Sequence, residues 1–159
     1  MGLNFIRAVG VICAGLLGAV NAQANTLEGG TWQCSREQAQ ESDLVEWTTY
    51  RFDAGGTIAS QEWFRQSENN SVALEFLLNV DYQYFHNGDE YVLKPTKLSR
   101  ELRADLYKID PFNADARRDL MGYRIFFSPK FVDANHAVFE MRHHITPDQR
   151  FRLNCVRRA

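Results

Sequence analysis

Apolar and polar residues alternate along most of this chain, and the alternation has a period of two. It is clearest in SVALEFLLNVDYQYFHNGDEYVL. There Val72, Leu74, Phe76, Leu78, Val80, Tyr82 and Tyr84 fall on one face, with Glu75, Asn79, Asp81 and Gln83 on the other. Successive strand residues point to opposite faces, so this pattern predicts a half-buried strand rather than a helix. The run is long for one strand, which predicts a bend or bulge within it. Asn87-Gly88 lies between two such periodic runs and predicts a hairpin turn.

Similar strands surround it. LVEWTTYRFDAGGTIASQEWF reads as two strands joined at Gly55-Gly56. GYRIFFS and HAVFEMRH flank PKFVDAN, a turn marked by Pro129 and by Asp133, Ala134 and Asn135. Thr146-Pro147-Asp148 turns into the last strand, QRFRLNCVR, where Phe151, Leu153 and Cys155 share a face; Trp32 and Cys34 share one in the first strand. Residues 97–110 fit both a helical stripe and a period of two, and the helix propensity of RELRADL tips them toward helix. FNADARRDLMG is a clearer short helix, with Asn113 as cap, Asp115 in the positive first turn and Gly122 at the end. The expected fold is all-β: an antiparallel up-and-down barrel or strongly curved sheet of about eight strands, with one or two short helices inserted.

The N-terminus changes the picture of where this barrel resides. Arg7 precedes the apolar run AVGVICAGLLGAV, and small residues follow at the positions a signal peptidase reads. Residues 1–24 are therefore expected to be a signal peptide, cleaved after Ala22 or Ala24, with residues 25–159 forming a single β-barrel domain. At about 13 residues the run is shorter than the roughly 20 needed to cross a bilayer, so no stable membrane anchor is expected. Ile12 before Cys13 argues against lipid attachment there. The implied location is periplasmic or secreted, and in such a compartment the remaining Cys34 and Cys155 are expected to form a disulfide that staples the two terminal strands. Without Arg7 the chain has 17 Lys and Arg against 20 Asp and Glu. That mild acidity, with scattered bases, excludes the concentrated positive surface a nucleic-acid partner needs.

Gly30-Thr31-Trp32 on the first strand resembles the G-x-W motif of the lipocalin and calycin superfamily. The resemblance implies an up-and-down eight-stranded barrel whose tryptophan packs at the closed end under a late arginine, here Arg150 or Arg152. The short helix departs from the family pattern, because three strands follow it where lipocalins place their helix after the barrel strands.

Candidate chemistry is sparse. No Ser/His/Asp order, G-x-S-x-G elbow, H-E-x-x-H or glycine-rich phosphate loop is present, so no catalytic residue, no cofactor and no enzyme activity are expected. His143 and His144 are adjacent on a strand, point to opposite faces and cannot readily share one ion, so no metal site is expected. Glu41, Asp43 and Glu46 read as solvated acids ahead of a strand. Aromatic side chains are dense, and Trp63, Tyr82, Tyr84 and Tyr91 are candidates to line an apolar cavity with polar tips that orient a ligand. The same rings equally suit a filled core, since eight-stranded barrels are just wide enough for either. Arg142, Arg150 and Arg152 form a basic outer face suited to an acidic partner, or to a solvated face balanced by acids elsewhere. The expected function is an exported, non-enzymatic, lipocalin-like protein that holds a small apolar molecule. The alternative is an envelope protein–protein interaction module, of inhibitor or immunity type, that uses its arginine-rich C-terminal strands.

Overall fold

The computed structural model describes residues 26–36 and 43–159. The expected leader with Cys13, and Glu41, lie outside the described residues. Eight antiparallel strands close into a barrel in simple chain order: β1 Thr31–Arg36, β2 Leu44–Asp53, β3 Thr57–Glu68, β4 Ser71–Asn87, β5 Glu90–Asp105, β6 Ile125–Phe131, β7 His136–His143 and β8 Thr146–Arg158. One helix, α1 (Ala114–Gly122), is inserted between β5 and β6.

Closure comes from the terminal strands. β1 pairs with β8 from Thr31↔Arg158 to Arg36↔Leu153, and the disulfide joins the directly opposed pair Cys34↔Cys155, with Cα atoms 4.0 Å apart. This pairing removes the row of unpaired backbone groups each terminal strand would otherwise expose. Both cysteines are buried among the inward-facing residues.

Turn chemistry sets the hairpins. Asn69 and Asn70 both adopt left-handed backbone angles, φ 49° and 62°, and form the two-residue connection between Glu68 and Ser71. Asparagine tolerates this conformation better than most residues, and its twist suits a hairpin. Gly56 (φ 75°) turns β2 into β3, and its carbonyl accepts from the Tyr84 N–H at 2.9 Å. The bulge expected in β4 occurs at Ala73, the extra residue between Gln66↔Leu74 and Ser67↔Val72.

Residues 97–110 correct the expectation of a helix, because β5 runs through Asp105. Seventeen-residue β4 offers a partner along that whole length, and ladder pairing overrides a modest local propensity. Two irregularities accommodate it. At Pro95, which lacks an N–H, the register slips past Thr96, and the Thr96 hydroxyl donates to the Asp81 carbonyl at 3.0 Å. A second slip leaves out Arg103.

The barrel is filled at one end and open at the other. At the end of the β2–β3 turn, Trp32, Phe52, Phe127 and Phe139 are almost wholly buried, with ring centroids about 5.4–6.2 Å apart. Each such ring contributes roughly 2–3 kcal/mol of burial free energy. The segment before β1 caps this end. Leu27 is buried, the Gly29 N–H donates to the Phe52 carbonyl, and the Phe52 N–H donates to the Gly30 carbonyl. At the opposite end β5 parts from β6, since their ladder runs only from Tyr91↔Phe127 through Val92↔Phe126 to Leu93↔Ile125. Beyond that point the wall is completed by the segment from Leu106 and by α1.

Candidate functional site

The gap between β5 and β6 creates a cavity of about 560 Å³ beneath α1. Phe64, Phe76 and Leu78 form its barrel side, and Phe112, Leu120 and Tyr123 roof it. This lies within the size range of small-molecule pockets, which are mostly apolar with a few polar groups. The roof is anchored by chemistry legible in the chain. The Asn113 side chain accepts from the Ala116 N–H at 2.9 Å as helix cap, and Asp115 stands in the first turn. The Arg117 guanidinium donates to the Leu98 carbonyl of β5 at 2.8 Å. Arg100, inward-facing on β5, lies between the Phe76 and Phe112 rings, 4.1 and 4.6 Å from their centroids. Its charge is matched by Asp110, whose carboxyl it holds below the usual carboxylate range.

Deeper in the barrel lies a second, smaller cavity of about 90 Å³, and Glu62 lines both. This inner cavity is of mixed character: Arg36, Glu46, Tyr50, Ser60, Tyr82 and His143 face it beside Ile125, Met141 and Leu153. Arg36 pairs with Glu46 at 3.7 Å. Burial, then the proximity of Glu46, pushes the Glu62 carboxyl up to about 7. Burial also pushes the Tyr50 and Tyr82 phenols up, with Glu62 adding to both, so neither ionises near neutrality. His143 is pushed down by burial, then by Arg36 and His144. Its Nδ1 is buried without a hydrogen-bond partner among the described residues, while the His144 Nδ1 accepts from the Arg124 N–H at 3.0 Å.

The four aromatic residues singled out from the sequence do not share one wall. Tyr82 floors the inner cavity. Tyr84 and Tyr91 belong to the filled end, packed on Phe52 and Phe127 at 5.8 and 5.0 Å. Trp63 is a correction: it lies on the outer face, where register sets it beside Trp47 and Leu77, and its indole N–H donates to Glu75 at 3.1 Å. The inward phase of β3 is Ile58, Ser60, Glu62 and Phe64, which leaves Trp63 outside. Glu46 is also corrected, from a solvated acid to an inward-facing residue of β2.

The basic face is largely matched within the chain. Arg142 makes a two-pronged contact to Glu90 at 3.0 and 2.6 Å and lies over Phe126. Arg152 reaches Glu140 at 3.3 Å, and Glu140 also pairs with Lys130 at 2.9 Å. Arg150 stands opposite Arg142 in the ladder. The arginine over Trp32 is neither Arg150 nor Arg152 but Arg157, its guanidinium carbon 5.6 Å from the ring centroid. Gly30 makes room for this arrangement, because a β-carbon there would stand 2.9 Å from the Arg157 side chain and 3.1 Å from the Trp32 indole nitrogen.

Sequence reading missed Glu62, Arg36, Arg100 and the apolar lining under α1. The available signal was the phase of TIASQEWF, which sets a carboxylate between inward Ile58 and Phe64. No protein-family model matches this chain, and no curated protein matches it. The fold is a closed antiparallel barrel with a cavity at one end. No helix among the described residues is long and apolar enough to cross a membrane.

Proposed function

We propose that this is an exported, non-enzymatic binding protein that holds a small apolar molecule beneath α1. The observation that carries the reading is the 560 Å³ cavity between the barrel wall and the helix, lined by Phe64, Phe76, Leu78, Phe112 and Leu120. A half-open apolar cleft of this size, lined by aromatic and aliphatic side chains with a few polar groups, has the dimensions and lining of a small-molecule site. The disulfide between the paired terminal strands supports export into an oxidising compartment. Gly30, Trp32 and Arg157, clustered at the filled end, support kinship with lipocalin-like barrels, with α1 as this chain's own departure.

The test is titration with the neutral fluorescent probe N-phenyl-1-naphthylamine. Saturable one-to-one binding is expected, weakened at least tenfold by Ala116→Trp, which fills the cavity from the roof without touching the buried core. Absence of saturable binding, or equal affinity in Ala116→Trp, would overturn the reading.

A further inference from the structure

Among the described charged groups that line the two cavities, one makes no ion pair. Arg36 is paired with Glu46, Arg100 with Asp110, and Asp119 with Arg118 at 3.0 Å. Glu62 makes no hydrogen bond or ion pair with any described residue; Arg36 and Arg100 attract its charge only at longer range, more weakly than burial and Glu46 oppose it, and it lines both cavities. A buried carboxylate without a partner is costly, and an opposite charge delivered by a ligand relieves that cost.

From this placement we infer that the site selects amphipathic amines: an apolar body under α1 and a protonated amino head on Glu62. The inference rests on the proposed apolar pocket and adds the chemistry of its head group. The inner cavity is sized for a small head. Tyr50, Tyr82 and Ser60 stand around it with hydroxyl oxygens able to accept from an ammonium group, and the buried His143 Nδ1, unpartnered among the described residues, adds a further acceptor in the neutral ring. Carboxylate ligands are disfavoured, because both arginines near the site already have acidic partners.

Protonation enforces the same preference. The charged and titratable groups that line the two cavities with Glu62 are Arg36 from β1, Glu46 and Tyr50 from β2, Tyr82 from β4, Arg100 from β5, His143 from β7, Asp119 from α1 and Tyr123 just after it. An alkylamine stays protonated from pH 5.5 to 8, as a lysine does. Glu62 loses its charge as pH falls through about 7, and protonation of His143 on further acidification adds repulsion in the same direction. Amine binding therefore weakens toward acid, while binding of an uncharged analogue stays level.

The experiment is displacement of N-phenyl-1-naphthylamine by decylamine, decanol and decanoate. At pH 8 decylamine is expected to bind at least tenfold more tightly than either analogue. That preference should fall at least tenfold between pH 8 and 5.5 in the unmodified protein, and should vanish in Glu62→Gln while decanol binding persists. If the probe and decanol bind but decylamine shows no preference, or the preference survives Glu62→Gln, the amine inference fails and the apolar pocket stands. If neither the probe nor any of the three compounds binds, both fail.

Discussion

Glu62 is a residue whose placement costs stability and so points to use. Its folded-state carboxyl titrates near 7, above the ordinary glutamate value, because burial and Glu46 oppose its charge. The folded protein therefore holds this proton more tightly than the unfolded chain, and stability falls as pH rises from about 4.5 to about 7. Above that window the penalty is complete, on the order of 3 kcal/mol at most. Glu62→Gln is expected to raise the melting temperature at pH 8 and to leave it nearly unchanged at pH 5. Thermal unfolding at the two pH values checks this, and equal shifts at both would contradict a buried, reluctantly charged carboxyl. The residue escaped the sequence reading because Trp63 beside it is large and apolar. Hydrophobicity alone favours the wrong phase of β3, whereas Trp63 lies outside against Trp47.

Among the elements, α1 and the parting of β5 from β6 make the site. The helix was legible because its signals are local: Asn113 as cap, Asp115 in the first turn and Gly122 at the end. The second half of β5 was not, because Leu98, Leu102 and Leu106 satisfy both periods and the deciding influence is β4, a neighbour across the sheet. The hairpin turns were partly legible. Asn87-Gly88 and Gly55-Gly56 stood out as turns, and Asn69-Asn70 proves to be the tight connection of β3 to β4. Asn113→Ala removes the cap and is expected to cost about 1 kcal/mol of stability. Since α1 has no buried residue of its own, the same change should loosen the roof and weaken probe binding severalfold. Chemical denaturation and titration of the variant test both, and an unchanged affinity would show that the roof does not contribute.

The molecule as a whole divides its interior between two tasks. One end is a packed aromatic core capped by the segment before β1, and the other keeps a cavity whose floor is of mixed character. Its outer surface carries charged residues around the sheet, among them Arg51, Arg65, Asp81, Lys97, Glu101, Lys130 and Arg152. A membrane barrel instead carries an apolar band there. Closure was legible in outline, because two cysteines on the apolar faces of terminal strands have a natural way to meet. The division between filled and hollow ends was not, since it depends on how far β6 follows β5. The disulfide spans 121 residues, and the chain-entropy model gives such a loop about 4–5 kcal/mol as an upper figure. Replacing both cysteines with serine is expected to lower the melting temperature by about 10 °C or more. An unchanged melting temperature by calorimetry would show that strand pairing alone holds the seam.

The decisive measurement is where a small apolar molecule sits. Amide and methyl NMR spectra recorded through a titration with N-phenyl-1-naphthylamine should show saturable shifts at Leu78, Phe112, Ala116 and Leu120, with Phe127 and Phe139 at the filled end unmoved. Shifts confined to the outer face around Trp47 and Trp63, or none that saturate, would contradict a binding site beneath α1.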